Sequence, residues 1–572
     1  MIADLAPRAR HARWPGLRRG RRDGDRSCPN RVALDRAFVN GVPYMVNVVR
    51  DVEAIYPRLD LWSVNGMINP DFPLWLRASH LINFILIGML LRSGWEILSS
   101  MPRLWWRNDC KPGTEWLRFT RRRLPKEEGV YTSLMDEKSL SPLIGLPGRE
   151  NIGLGRRWHG LSVMLWVLNG LIYVVLLFAT GLWQRIIPTS WDVFPEAWES
   201  IKMYLGLRAP AIEHFDPYDA AQMLAYTVVI FVLAPLLIFT GVAMAPAVRS
   251  RFPWYFKLWG GHQGARSLHF ILMVLITAFI IMHVGLVFLV HAEHNLVHMV
   301  FGTTDTSRAA QAFTITIATI VAVVVFWIAL SYWSLADRAR AQRFTAGVTE
   351  IGRRIFLNRL RPRMGRQSTY TDEDISEFHW TNGLPPTDDE SPEWVAARDD
   401  DWDGYTVTVG DDTTGAEKVL TLDDLRALPR TSYVAIHTCM QGWSATSRWT
   451  GVRLRDLLDE LGPRPEGGNY VLIDSYGLAQ KMYDNRPREP FYAVIDVETA
   501  YEDDTILAYE RNGHPLETHL GAPARLRVES NHGYKHVKWV RSIRWIADYA
   551  EYGDGRGGTR EDSALQAFNG RI

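Results

Sequence analysis

Three cysteines in 572 residues leave little sulfur for structural chemistry. Cys28, Cys110 and Cys439 form no CxxC, no CxxCH and no four-cysteine set. That argues against covalent c-type haem, an iron–sulfur cluster, a zinc ribbon and a disulfide framework. A surplus of charge is missing too. The 64 Lys and Arg against 63 Asp and Glu leave a net charge of +1, so the balance gives no case for nucleic acid. The last third of the chain has no long apolar run. The start, "RARHARWPGLRRGRRDGDR", lacks the apolar core of a signal peptide. Residues 1–72 are expected to be a disordered tail, with the part before Met45 either belonging to that tail or lying ahead of a true start at Met45.

What the first two thirds do hold is five apolar runs, each long enough to cross about 30 Å of hydrocarbon. They fall near Leu74–Leu98, Trp158–Trp183, Ala220–Ala245, Leu268–His291 and Phe313–Leu335. Trp75, Trp95, Trp158, Trp183 and Trp333 sit near their ends, as an interfacial aromatic belt would. Lys and Arg are dense after the first, third and fifth runs, in "RRRLPK", at Arg249, Arg251, Lys257 and Arg266, and in "ADRARAQRF". The connections after the second and fourth runs are poor in them. This bias predicts that the odd-numbered connections, and the C-terminal third with them, are cytoplasmic.

Ionisable residues inside membrane spans are costly and call for a partner or a function. His80 lies early in the first span, His159 early in the second, and His269 and His283 both lie on the fourth. Fourteen residues are about 3.9 helical turns, so the last two imidazoles face the same way, roughly 21 Å apart. The first and fourth spans run in opposite directions, the second and fourth in the same one. His80 is thus expected at the level of His283, and His159 at the level of His269. Two stacked His–His pairs fit two b-type haems, each iron held by two neutral imidazoles. A transporter that relays protons along these histidines fits the same residues. His262, His291, His294 and His298 fall in loops and are expected to be solvated, with "HAEHNLVH" placed to move protons at a quinone site.

Past Arg366 the texture changes to short alternating strands, "YTVTV", "SYVAIHT", "NYVLIDSY", "PARLRVES" and "VKWVRSIRWI", with helical pieces "TLDDLRAL" and "RLRDLLDEL" between them. This is an α+β pattern with mixed strands. "TDDESPEWVAARDDDWDG" reads as an acidic loop. Cys439 ends a strand just before a glycine-containing turn. It is either a small buried hydrophobe or a presented thiolate, which is a soft metal ligand. Arg525, His532, Lys535, His536 and Lys538 cluster around glycines, a composition that suits a phosphate or a plain solvated loop.

Two resemblances organise these residues. One histidine on the first span, one on the second and two on the fourth, over about Pro73–His291, resemble the di-haem cytochrome b subunits of formate dehydrogenases and hydrogenases. "CMQGWSATSRWTGVRL", "LGAPARL" and "GYKHVKW", within about Phe378–Ile546, resemble the molybdenum-cofactor domain of the sulfite oxidase family. Its methionine sulfoxide reductase catalytic subunits give the nearest pattern. The second resemblance implies that Cys439 ligates molybdenum and that Arg525, Lys535 and Lys538 contact the pterin phosphate. It also implies that Ser475 in "VLIDSYG", and His379 and Asn382 in "FHWTNGLPP", line the cofactor. The chain departs from the family at Leu520, where His or Asn is usual, with His519 one place earlier.

The expected architecture is multidomain. An all-α five-span transmembrane bundle (73–337) is followed by a basic and acidic linker (338–377), an α+β molybdopterin domain of sulfite oxidase type (378–548) and a C-terminal tail (549–572). The expected function is a membrane-bound molybdopterin oxidoreductase. It would exchange electrons between a small oxo-type, sulfoxide-type or sulfite-type substrate (sulfite, methionine sulfoxide and other S- or N-oxides all fit) and the quinone pool through two haem b groups. An electron-transfer cytochrome with a non-catalytic molybdopterin-like domain is the alternative within the same fold.

Overall fold

The computed structural model describes residues 72–206, 218–245, 248, 252–352, 370–479 and 488–563. The Arg-rich start and Met45 lie outside the described residues. Among the described residues five helices are long and apolar enough to cross a membrane: Leu74–Ser100, Ile152–Ala179, Ala220–Met244, Gly261–Leu289 and Thr306–Ala336. The third contains a π-helical stretch at Val229–Leu233.

Spans two, four and five begin at Ile152, Gly261 and Thr306, roughly two turns ahead of the positions that apolarity alone marks. The added turns carry Arg156, Arg157, Gln263 and Arg266, polar residues that end a hydropathy window without ending a helix. Trp158 is consequently not in an interfacial belt. It is 2% exposed, and its indole N–H donates to Ser334 Oγ on span five (3.0 Å). Span four starts abruptly because Gly260 and Gly261 are both left-handed, at φ 74° and 76°. A Cβ on Gly261 would also overlap the Asn108 amide at 2.1 Å.

Polar side chains inside the bundle act as braces. Arg92 of span one donates to Trp327 O (2.6 Å) and Ser331 Oγ (3.0 Å) of span five, and to Pro142 O (2.6 Å) of the segment joining spans one and two. Glu96 accepts the Asn151 amide (2.9 Å) at the start of span two, a carboxylate placed where a helix N-terminus favours one. His262 and His298 are buried rather than solvated. His262 belongs to the first turn of span four, and His298 packs edge-on to Phe72 with ring centroids 5.3 Å apart.

The segment joining spans one and two is not a simple loop. It opens with a small ribbon, β1 (Arg103–Leu104) against β2 (Leu117–Arg118). Arg103 is buried there between Glu115 (2.5 Å) and Asp136 (2.6 Å). After span five the chain continues as a helix, Arg338–Gly352, whose start packs on span two.

The C-terminal third holds two five-stranded sheets. One contains β4 (Ala416–Thr421), β3 (Thr406–Asp411), β12 (Val540–Ile546), β7 (Tyr470–Leu478) and β8 (Pro490–Asp496), in that order. Only β12 and β3 in it run parallel. The other contains β10 (His514–Pro515), β9 (Thr505–Arg511), β6 (Ser444–Arg453) and β5 (Arg430–Thr438), with β11 (Arg525–Val528) also on β9. An apolar core that includes Val409, Leu457, Ile473, Leu526 and Trp545 holds the sheets together. "TLDDLRAL" forms the expected helix, closed at its start by a Thr421/Asp424 capping box.

Two expectations are corrected. The acidic loop contains a helix, Pro392–Asp399, because Pro392 is pre-organised for a first turn and Trp394 has a buried slot, donating to Ala522 O (3.3 Å). Residues 549–563, expected as a tail, fold back onto β8. Buried Glu561 pairs there with buried Lys535.

Gly88 marks the closest approach of spans one and five. A Cβ there would lie 2.0 Å from the Trp327 ring, which is fixed by its N–H bond to Ile85 O (3.0 Å). Gly88→Ala is therefore expected to destabilise the bundle by about 1–3 kcal/mol, read as a lower unfolding midpoint of the detergent-solubilised protein.

Candidate active site and histidine pairs

Cys439 sits at the first position of the tight turn that joins β5 to β6. The turn closes through Cys439 N to Trp443 O (3.0 Å) and Gly442 N to Cys439 O (3.0 Å). Gly442 has φ +117°, which only glycine adopts without strain. The thiol is 4% exposed and faces a cavity. Its sulfur accepts Asn382 Nδ2 (3.0 Å) and the Gln441 amide (3.5 Å). Burial pushes the thiol up to about 11, so the free side chain is protonated at neutral pH. Two N–H donors aimed at one sulfur suit a thiolate, and a bound cation supplies the charge that makes it one.

Asn382, Gln441 and Trp443 share a partner that lies far off in sequence. Ser133, from the segment between spans one and two, contacts Asn382 Oδ1, reaches Gln441 Oε1 (2.5 Å) and accepts Trp443 Nε1 (3.0 Å). The cavity wall is shared in the same way. Leu134, Glu150, Ile152 and Gly153 of the membrane half line it beside Cys439.

Five further residues expected from the sequence line this cavity: His379, Asn382, Ser475, Arg525 and Lys538. Buried Arg525 donates to Leu520 O (2.8 Å), and its Nε meets no partner. Its guanidinium lies 5.0 Å over the Trp449 ring. Lys538 Nζ donates to Gly383 O (2.9 Å), His519 O (3.0 Å) and Thr381 Oγ1 (3.3 Å). Burial holds both cations well below their usual ranges; Arg527 adds to the effect on Arg525, and Arg525 to that on Lys538. Buried cations with only neutral acceptors or open donors call for an anion, and a pterin phosphate is one. Ser475 Oγ bonds Lys538 O (2.7 Å) and so holds that backbone in place.

Lys535 is not brought to the cavity. Its ammonium is engaged by Val494 O (2.7 Å), Gly557 O (3.0 Å) and Glu561. His519 does not stand in for the family's histidine at Leu520 either. Its side chain lies against Glu128 (3.5 Å), while Leu520 itself lines the cavity.

Sequence reasoning passed over His437 and left His536 as one of a basic cluster; both line the cavity. Their rings lie 5.2 Å apart, and Arg527 donates to His437 Nδ1 (3.1 Å). Burial, with Arg527 next in effect, holds both imidazoles well below their usual range, hence neutral. His437 could have been found, because a strand's period of two puts it on the same face as Cys439.

In the bundle, His80 faces His283 with ring centroids 6.3 Å apart, and His159 faces His269 at 6.5 Å. A metal–nitrogen bond of about 2 Å, plus roughly 1.2 Å from nitrogen to ring centre, would place two axial imidazoles of one iron about 6.4 Å apart. Three rings have an Nδ1 partner on a neighbouring helix. His159 meets Ser93 Oγ (2.9 Å), His269 meets Thr240 Oγ1 (3.0 Å) and His283 meets Tyr226 OH (3.3 Å). That orients each ring and leaves Nε2 for a metal. None of the four imidazoles is sealed in by its neighbours, so space is open beside them. The residues present fit haem b.

The His159/His269 pair lies at the end of the bundle next to the Cys439 cavity. Gly153, in the cavity wall, is six residues ahead of His159 on one helix, about 9 Å along its axis.

Comparison with known proteins separates the same two halves. Residues 394–551 match the family described as oxidoreductase molybdopterin binding domain, and residues 71–302 match prokaryotic cytochrome b561. The chain is a multi-pass membrane protein in which a cytochrome b561 domain is fused to a molybdopterin-dependent oxidoreductase domain. Two matches in Azospira oryzae bear the name "Putative protein-methionine-sulfoxide reductase subunit YedZ1". One is 31% identical over 150 residues, 26% of this chain and 50% of that protein. The other is 28% identical over 235 residues, 40% of this chain and 95% of that protein. Mitochondrial sulfite oxidase of Drosophila melanogaster is 32% identical over 148 residues, 22% of this chain and 25% of that protein. This chain thus spans half the length of the first relative and a quarter of the last.

The raised thiol sets a pH dependence. In cofactor-free protein, alkylation of Cys439 by iodoacetamide is expected to be slow at pH 7.5 and to rise about tenfold per pH unit toward pH 11. Mass spectrometry reads the rate, and fast alkylation at neutral pH would contradict the assignment.

Proposed function

We propose that this protein reduces a sulfoxide at a molybdenum centre held by Cys439, using electrons that two b-type haems bring from quinol. The observation that carries the reading is a single alignment. Two imidazole pairs at metal-bridging separation are stacked through the bundle, and the nearer pair lies about two turns of helix from the wall of the Cys439 cavity. The names of the relatives matched by the two halves favour a sulfoxide substrate and the reducing direction.

Quinol oxidation releases two electrons and two protons. The substrate takes up two of each, its S–O bond breaks, and its oxygen leaves as water. The molybdenum cofactor, when bound, supplies the two-electron oxygen-atom chemistry. The chain's residues supply the rest. Cys439 would anchor the metal, with Asn382 and the Gln441 amide holding the sulfur. Arg525 and Lys538 would neutralise the phosphate, and His379 and Ser475 would line the pterin. His80 with His283, and His159 with His269, would each hold one haem. The His159/His269 pair is the one nearer the Cys439 cavity, which would leave the His80/His283 pair nearer the quinone.

His269→Ala is expected to remove one haem of two and leave quinol-reducible haem at the other pair, whereas Cys439→Ala should abolish substrate turnover and leave both haem spectra intact. Pyridine haemochrome content and sulfoxide reduction read the two effects. Retention of both haems in the first variant, or full activity in the second, would show the assignment to be wrong. The lysine and arginine bias of the connections supports a cytoplasmic catalytic half. A fluorescent protein that matures only in the cytoplasm, fused after Ile572, should fluoresce. Activity of a fused alkaline phosphatase instead would reverse the orientation.

A further inference from the structure

Gln263, in the first turn of span four, has no role in binding either cofactor. It is fully buried, and its amide N–H groups are spent on the Cys439 turn: Nε2 donates to Gly442 O (2.8 Å) and to Ser444 Oγ (3.1 Å). Its Oε1 meets no donor. The side chain is therefore held by these two bonds alone. Asn108 closes the arrangement from the other side, accepting the Gln263 amide at Oδ1 (3.1 Å) and the Ser444 hydroxyl at its carbonyl (2.8 Å). One turn further on, Arg266 donates to Met101 O (2.6 Å) and Arg103 O (2.7 Å). Its guanidinium lies where a Cβ on Gly442 would meet it at 3.2 Å. His269 follows three residues later on the same helix.

We infer that Gln263 is the positioning residue for electron exchange between the two halves: its bond to Gly442 O joins the turn bearing Cys439 to the helix bearing His269. The inference rests on the functional reading above. From Gly442 the hydrogen bond to Gln263 is the direct step onto span four, and six residues of helix, about 9 Å, complete the route to His269. With both cofactors bound, two electrons per sulfoxide reduced, supplied by quinol, would pass singly from the His269 end to the Cys439 site. Loss of the donor removes that direct step and loosens the turn, which stays tied to span four through Asn108.

The test uses the full-length protein carrying both cofactors, with Gln263→Leu and Gln263→Glu beside the unaltered chain. Haems reduced by a soluble quinol are mixed with dimethyl sulfoxide, and their reoxidation is followed optically. Turnover is measured separately with reduced viologen, which feeds the molybdenum site directly. Hydrogen exchange at Met440–Ser444 is measured in cofactor-free protein. Gln263→Leu is expected to slow haem reoxidation by at least about tenfold, leave viologen-driven turnover within about twofold, and speed exchange in the turn. Gln263→Glu should behave like the leucine variant at high pH and recover as pH falls, because only the protonated acid can donate to Gly442 O. Unchanged reoxidation, a parallel fall in both activities, or no pH-dependent recovery would each overturn the inference. If substrate fails to oxidise the haems of the unaltered protein, the functional reading is what fails. The exchange measurement needs neither substrate nor cofactor and still decides whether Gln263 holds the turn.

Discussion

A buried charged side chain sets the geometry of this molecule. Arg266 stands between span four and the segment that follows span one, and carbonyl oxygens of Met101 and Arg103 meet its guanidinium. A buried cation tolerates no other arrangement of those carbonyls without losing its hydrogen bonds. The ribbon at Arg103–Leu104 is thereby fixed against span four. Ser133 and Asn108, further along the same segment, are then delivered to the Cys439 turn. The site depends on that chain of contacts as much as on the two sheets beneath it.

Much of this was legible in the sequence because the relevant signals are periodic or local. The four histidines pair as helix spacing and span direction require, since both follow from 1.5 Å per residue and alternation across a bilayer. Cys439 at a strand end, the capped helix at Thr421, and Arg525 and Lys538 beside a cavity follow from patterns within a few residues of each other. His437 belonged to that same class of signal, two places from Cys439 on one strand.

The rest was not legible, and the reasons are physical. Hydropathy marks where a helix is greasy, not where it begins, so the polar first turns of spans two, four and five were assigned to loops. Those turns hold Ile152, Gly153, Gln263 and Arg266, the residues through which the bundle meets the catalytic half. Lys535 was placed with the phosphate ligands because it is basic and flanked by glycine. In the structure it answers Glu561, an acid 26 residues away that no local pattern connects to it. Burial of His262 and His298, and the packing of residues 549–563, likewise depend on partners distant in sequence. So does Ser133, whose contacts with Asn382, Gln441 and Trp443 lie 249 or more residues away.

The cavity wall at Leu134, Ile152 and Gly153 has a consequence for how separable the two halves are. In sequence they look modular, each matching its own family over its own residues. In space the catalytic compartment is assembled from both, so a soluble fragment beginning after span five would lack part of its own enclosure. Exchange of one half for a relative's would graft a foreign wall onto the pocket. Changes at the start of span two are changes to the wall of the Cys439 cavity, and an exchange of either half has to be matched by the other.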